Sequence, residues 1–151
     1  IGRCEMQIST RGKNAIKMLL DLANHNDGTP VRLKDIASRQ NISVKYLEQI
    51  VMLLQRASLL QSVKGNQGGY LLKYPPEQYT MFQILTATEG SLSPVECVEN
   101  CASPCKNQNQ CVTYRMWKKL DTAIHDTLEG ITLADLMDWQ EEIVIAGDYS
   151  I

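Results

Sequence analysis

The chain has 151 residues, of which 44% are hydrophobic and 21% charged, a composition that fits one globular core or a small domain with an appendage. No apolar run approaches the ~20 residues that a membrane-spanning helix needs. The first residues lack the charged-then-apolar pattern of a secretory leader, so we expect a cytoplasmic protein whose native start is Met6. Residues 1–80 carry a net charge of +5 and residues 81–151 a net charge of -7, and a basic first half favours a polyanion such as nucleic acid as partner.

The first three predicted elements are helices. Apolar residues at helical spacing predict a helix from Thr10 to about Asn26, ended by the breaker NDGTP, and a short helix from Arg32 to Gln40. Asn41 interrupts the second helix, and Ser43 is a favourable N-cap for a third helix from Val44 to about Ser58. Two helices joined by so short a turn match a helix-turn-helix.

A hairpin is predicted directly after the third helix, whose expected core residues are Val44, Leu47, Ile50, Val51 and Leu54. Leu60–Lys64 and Tyr70–Lys73 have the composition of strands around the sequence GNQGG. The flexible tip of this hairpin carries Lys64, Asn66 and Gln67. The order of three helices and a hairpin predicts a winged helix-turn-helix.

The C-terminal part is predicted to be helical again. A helix from about Thr80 to Glu89 stops at Gly90, and a long helix begins near Val112 and ends at Gly130. The apolar stripe of the long helix consists of Val112, Met116, Leu120, Ile124 and Leu128, and a last helix is expected from Thr132 to about Glu142. The stripe can pack back on its own chain, but a two-fold dimer is favoured, because winged-helix proteins that read palindromes need paired subunits.

The segment CVENCASPCKNQNQC, residues 97–111, holds four of the five cysteines of the chain. Disulfides, a zinc site and an iron–sulfur cluster are all open on composition alone. A reducing cytoplasm disfavours disulfides, and zinc sites usually show two Cys-x-x-Cys pairs, which this spacing lacks. Together with the predicted elements on either side of it, this segment divides the chain into three parts. They are a DNA-binding domain at 6–90, a cysteine-rich cluster loop at 91–111 and dimerisation helices at 112–143.

Four stretches carry a resemblance to a known family: ISTRGK at 8–13, LKDIASRQNIS at 33–43, YLEQ at 46–49 and SVKGNQGGYLL at 62–72. They resemble the bacterial Rrf-two family of transcription regulators, and the likeness extends from Met6 to about Asp138. It implies a mainly α-helical homodimer with a β-hairpin wing and long C-terminal dimerisation helices, acting on a palindromic operator in double-stranded DNA. No arrangement of residues typical of an enzyme is present, so we expect a DNA-binding regulator, acting as a repressor, and not an enzyme.

The resemblance also implies which residues contact DNA. Thr10 and Arg11 are expected to contact the DNA backbone. At the major groove, base edges or nearby phosphates are contacted by Ser43, Lys45, Tyr46, Glu48 and Gln49. The wing tip contributes Lys64, Asn66 and Gln67. Glutamine can bond adenine, glutamate can accept from cytosine N4, and lysine adds counterion release. The alternatives are a salt bridge between Glu48 and Lys45 and a partly buried Tyr46.

Sensor members of the family hold an iron–sulfur cluster through three cysteines of this loop, which implies Cys97, Cys105 and Cys111 as ligands for a 2Fe-2S or 4Fe-4S cluster. The purified protein can lack this cluster. The histidine expected three residues after the last ligand is Tyr114 here, and the acidic ligand of nitric-oxide-sensing members falls on Lys13.

Cys101 is therefore the candidate fourth ligand, with Glu96 and Glu99 as weaker candidates. Two other interpretations of the segment remain: a cluster-free regulator of redox state or cysteine metabolism, and a protein-interaction module with structural zinc.

Overall fold

A computed structural model describes residues 7–95, 98 and 111–149, with side chains up to residue 147 in the last helix. The elements of this part are α1 (Thr10–Asn24), α2 (Leu33–Gln40), α3 (Val44–Arg56), β1 (Leu60–Val63), β2 (Gly69–Leu72), a 3-10 turn (Pro76–Gln78), α4 (Met81–Glu89), α5 (Val112–Glu129) and α6 (Leu133–Tyr149). The architecture is mainly helical with a small hairpin, as the sequence predicts. Within the described ranges, no helix is long and apolar enough to cross a membrane.

The turn between α2 and α3 is built by two polar residues. Asn41 ends α2 in the left-handed conformation with φ 55°, which asparagine tolerates better than most residues. Ser43 then caps α3, because its Oγ accepts the N–H of Tyr46 at 3.2 Å. The predicted turn is confirmed, while α1 and α3 each end two residues earlier than expected.

Helix α3 buries Leu47, Ile50, Val51 and Leu54, as predicted. Val44 was also predicted to be buried, and this is wrong, because its side chain is 40% exposed. Side chains of a helix tilt toward its N-terminus. A residue in the first position therefore projects beyond the end of the core, although its spacing matches the apolar stripe.

The hairpin is attached to the segment that precedes α2. Strands β1 and β2 pair antiparallel from Leu60↔Leu72 to Val63↔Gly69. On the outer side of β2, Val31 and Tyr70 exchange two backbone hydrogen bonds, of 3.0 and 2.8 Å. A Cβ at Gly69 would collide with the backbone of Val31, so glycine is what allows this close approach.

Tyr79 joins the hairpin to the core and is fully buried. Its hydroxyl donates to the carbonyl of Leu59 at 2.7 Å and accepts the N–H groups of Lys73 at 2.9 Å and Tyr74 at 3.3 Å. Burial raises the pKa of Tyr79, although the two backbone N–H groups act in the opposite direction. The residue therefore stays a neutral phenol that satisfies three backbone groups.

The start of α6 is also tied to this region. The N–H of Leu133 donates to the carbonyl of Tyr79 at 2.8 Å, and the N–H of Met81 donates to the carbonyl of Ile131 at 2.9 Å. Thr132 and Asp135 form a reciprocal cap at the N-terminus of α6. The helix was predicted to end near Glu142 but runs to Tyr149, because the apolar residues 143–146 continue it and Gly147 is tolerated within it.

Helix α5 differs from the others, because none of its residues is buried. In its apolar stripe, Val112 is 84% exposed, Met116 51% and Leu120 40%. Only toward the C-terminal end does the stripe approach the core, where Leu128 packs against buried residues. Most of the predicted stripe thus faces away from the core of its own chain.

Candidate DNA-binding surface and cysteine segment

The first turns of α3 present polar side chains to solvent. Ser43, Lys45, Glu48 and Gln49 are all exposed, on a helix whose opposite face is fixed in the core by Leu47 and Ile50. Tyr46 is half-buried and packs against the core. The structure therefore places four of the five residues predicted for α3 on the outside, and Tyr46 at the boundary.

The N-terminus of α1 is held in place by Glu89, through a contact that the sequence did not indicate. Ser9 caps the helix by accepting the N–H of Gly12 at 3.3 Å. Its own N–H and hydroxyl donate to one carboxylate oxygen of Glu89, at 3.1 and 2.6 Å. A Cβ at Gly12 would collide with that carboxylate. Glu89, the last residue of α4, thus fixes the turn on which Thr10 and Arg11 are exposed.

The tip of the hairpin carries Lys64, Asn66 and Gln67, which are all exposed. Gly65 has φ 109°, and its carbonyl accepts the N–H of Gly68 at 3.0 Å. The tip is also bonded to the body of the protein, because Nη2 of Arg32 donates to the carbonyl of Asn66 at 2.8 Å. Sequence reasoning missed this contact, since no pattern links residues so far apart.

A charged cluster that the sequence did not indicate joins α1 to α2. Asp21 is only 3% exposed, and its two carboxylate oxygens accept from Arg39 at 3.0 and 2.7 Å. Gln40 adds a hydrogen bond of 2.9 Å. Burial by itself would raise the pKa of Asp21, but these hydrogen bonds and the charges of Arg39 and His25 outweigh it and lower the pKa.

Two residues of the cysteine segment are described: the buried Val98 and the last residue, Cys111, which immediately precedes α5. A hydrogen bond with the Thr113 hydroxyl, at 3.1 Å, and the backbone N–H groups of Tyr114 and Thr113 lower the pKa of its thiol. The other predicted ligands, Cys97, Cys101 and Cys105, lie outside the described residues, as do Glu96 and Glu99.

Among the described residues, no group of three or more possible metal ligands is found. Of the predicted cysteine ligands, these residues include Cys111 alone. The half-buried Tyr114, three residues after Cys111, is described. A lowered thiol pKa makes the thiolate, the form that binds metal, easier to reach, so Cys111 fits the ligand role that the family resemblance implies.

Three helices followed by a two-stranded hairpin, with a capped third helix exposing polar side chains, define a winged helix-turn-helix protein. Comparison with known proteins then gives the family. Residues 8–139 match the model of the family described as "Rrf2: Iron-dependent Transcriptional regulator". The chain belongs to the Rrf2 family, the Rrf-two family of the sequence resemblance.

Individual relatives agree with this assignment. The HTH-type transcriptional regulator IscR of Erwinia tasmaniensis is 36% identical over 141 residues, covering 93% of this chain and 84% of the relative. Among solved structures, T. potens IscR has a TM-score of 0.71 at 34% identity, with 91% and 90% of the two chains covered. CymR, described as the global cysteine regulator of B. subtilis, has the same TM-score and identity, with 88% and 97% covered.

These comparisons confirm three predictions. The chain is a DNA-binding transcriptional regulator of the Rrf2 family, its fold is that of the solved family members, and proteins with such names are not enzymes. The individual DNA contacts, the cysteine ligands and the dimer stay predictions.

Proposed function

We propose that this protein is a homodimeric repressor whose affinity for a palindromic operator is controlled by an iron–sulfur cluster in the segment 91–111. The observation that carries the DNA-reading part is the start of α3, where Glu48 and Gln49 are exposed on a helix fixed from behind. Such a helix can enter a major groove without losing core contacts. The exposed wing residues Lys64, Asn66 and Gln67 supply the second contact.

The exposed stripe of α5 supports the dimer. Val112, Met116 and Leu120 would leave a contiguous apolar surface in water on an isolated chain, and such surfaces mark interaction sites. A second copy that pairs the same stripe around a two-fold axis covers both surfaces at once. Two recognition helices held in this way match half-sites about 34 Å apart on DNA.

The cluster would be held by Cys97, Cys105 and Cys111, with Cys101 as the fourth ligand. Bound there, it would supply a redox-sensitive link between thiolates spread over the segment 97–111. The lowered pKa of Cys111 supports this donor set, because the thiolate is the form that binds metal. Tyr114 is a poorer donor near neutral pH, since an unperturbed phenol has a pKa of about 10.

The segment 91–111 lies between an element of the proposed DNA-binding surface and the helix proposed to pair the subunits. Just before it, Glu89 of α4 bonds to Ser9, and Ser9 caps the helix that presents Thr10 and Arg11. At its other end, Cys111 immediately precedes the helix proposed to pair the two subunits. A change in the conformation of the segment, on gain or loss of the cluster, would therefore affect two things. These are the contacts of Thr10 and Arg11 with the DNA backbone and the spacing of the two recognition helices.

The DNA-binding part is tested with Gln49→Ala and Lys64→Ala, using a duplex selected by the wild-type protein from random-sequence DNA. Gln49→Ala is expected to weaken binding about 10- to 100-fold and to relax base preference at one position. Lys64→Ala removes one phosphate contact from each subunit of the dimer, and is expected to lower the slope of the salt dependence by about 1.8, about 0.9 for each contact. Gln55→Ala, at an exposed position near the end of the same helix, is the control. Wild-type binding that is absent or independent of salt would contradict the proposal.

The cofactor part is tested by anaerobic purification, a visible absorption spectrum, and assays of iron, sulfide and zinc. We expect a coloured protein that contains iron and sulfide. Cys101→Ser should lower the iron content or shift the spectrum, whereas Cys4→Ser and Tyr114→Phe should do neither. Colourless protein that cannot be reconstituted would contradict the cluster and favour a thiol-based regulator, and stoichiometric zinc would favour the structural-zinc interpretation.

A further inference from the structure

Arg32 and its neighbour Val31 attach the hairpin to the helix-turn-helix at two levels. Val31 pairs with Tyr70, the second residue of β2, through backbone hydrogen bonds of 3.0 and 2.8 Å. Arg32, the N-cap residue of α2, reaches the tip, where its Nη2 donates to the carbonyl of Asn66 at 2.8 Å. Two successive residues thus hold both strand β2 and the tip of the wing.

The tip is rich in glycine and therefore flexible by itself, so a contact from outside the hairpin is needed to hold it in one orientation. Gly65, Gly68 and Gly69 lie within five residues, and glycine loses more conformational freedom on ordering than other residues. The hydrogen bond from Gly68 to Gly65 closes the turn on itself, but it does not set the direction of the tip relative to α3. The hydrogen bond from Arg32 sets this direction, because Arg32 is the N-cap residue of α2 and α2 packs on α3.

We propose that Arg32 is a positioning residue for DNA recognition, which orients the wing tip so that it and α3 engage DNA together. This inference rests on the proposed DNA contacts of the wing. The acceptor is the backbone carbonyl of Asn66, so the side chains of Asn66 and Gln67 stay free for a groove. A tip that is already oriented before binding has less conformational entropy to lose on the DNA.

The test compares Arg32→Met with Lys34→Met, which removes the same charge from an exposed position two residues further on. Both are measured on the duplex selected by the wild-type protein. Arg32→Met is expected to weaken binding about three- to tenfold, and Lys34→Met less than about twofold. The two variants should have the same salt slope. Base discrimination under the wing should fall in Arg32→Met, and discrimination under α3 should be kept.

Hydrogen exchange of the free protein provides a readout that does not depend on DNA. The amide of Gly68 should exchange faster in Arg32→Met than in the wild type, while amides of the core helix α1 keep their protection. Arg32→Lys keeps a donor and a charge, and should restore part of the protection and of the affinity together.

Unchanged exchange at Gly68, or a loss of affinity no greater than that of Lys34→Met, would overturn the inference. A salt slope lowered by about 1.8 more than in Lys34→Met, with unchanged exchange, would make Arg32 a phosphate contact of each subunit instead. If the wild-type protein selects no duplex, the proposed function fails, and the exchange experiment still tests whether Arg32 orients the tip.

Discussion

The winged part of the molecule buries its apolar side chains in a core, whereas helix α5 leaves much of its apolar stripe exposed. The helices α1 to α4 and the hairpin enclose a common core that includes Leu19, Leu47 and Ile84. Helix α5 has no buried residue, and its stripe is exposed over its first half. The contrast indicates that the winged part is stabilised by its own core, whereas the described residues leave the first half of the α5 stripe uncovered.

The largest effect is expected from a charge in the exposed stripe. Leu120→Glu places a carboxylate in the surface proposed to pair the subunits, and should yield monomers by sedimentation. Loss of paired binding should lower operator affinity about 100-fold or more. The circular dichroism of the winged part should be unchanged, because Leu120 contributes nothing to its core.

The matched control is Thr122→Glu, which adds the same charge at an exposed polar position of α5. It should leave both the mass in solution and the DNA affinity close to those of the wild type. A Leu120→Glu protein that remains dimeric would contradict the role assigned to the stripe.

Within the winged part, Arg39→Met should be the most damaging of the polar substitutions. It leaves the buried carboxylate of Asp21 without its bidentate partner. Removing one partner of a buried ion pair costs about 3–5 kcal/mol, and the partial exposure of Arg39 reduces this to about 2–3 kcal/mol. Urea unfolding measures the loss, with Arg56→Met as the control at an exposed arginine. Equal stabilities for the two variants would contradict it.

A smaller loss is expected at Tyr79, which joins the hairpin to the core of the winged part. Tyr79→Phe keeps the ring but removes the hydroxyl that bonds to Leu59, Lys73 and Tyr74. Leaving these backbone groups unsatisfied should lower the free energy of unfolding by about 2 kcal/mol. Tyr74→Phe, at a tyrosine that is 41% exposed, should change it by less than about 0.5 kcal/mol. Similar losses for both variants would show that the hydroxyl network is not the cause.

The smallest effect is a dependence on acid pH. The pKa of Asp21 is lowered from 3.8 in the folded protein, so its stabilising contribution is present above the unfolded pKa and is lost as pH falls through the folded pKa. The difference in unfolding free energy between wild type and Asp21→Asn should therefore shrink when the pH is lowered from 5 to below 3.8. A difference that does not change over this range would contradict the assignment.

Local signals in the sequence predicted the elements well, and contacts between distant residues were not predictable in the same way. Ser43 and Asn41 act within a few residues of themselves, so the turn between α2 and α3 was found correctly. Val44 was assigned to the core because its spacing fits, although spacing cannot tell where the core ends. The last helix was predicted too short, because no local signal marks its end near Glu142 and the apolar residues that follow continue it to Tyr149.

The site shows the same division. The exposed residues of α3 and the wing follow from recognisable motifs, whereas Arg32 is 34 residues from Asn66 and Glu89 is 80 residues from Ser9. Asp21 offered one signal, a charge between Leu20 and Leu22 in an apolar stretch. Its partner Arg39 becomes evident only when α1 and α2 are packed together.

Control of DNA binding by the cysteine segment is tested on a single preparation of the wild-type protein. Its affinity for the selected duplex is determined anaerobically, before and after its iron and sulfide are removed. We expect affinities that differ by about tenfold or more between the two forms, with the dimer retained in both. Equal affinities in an iron-containing and an iron-free dimer would contradict it.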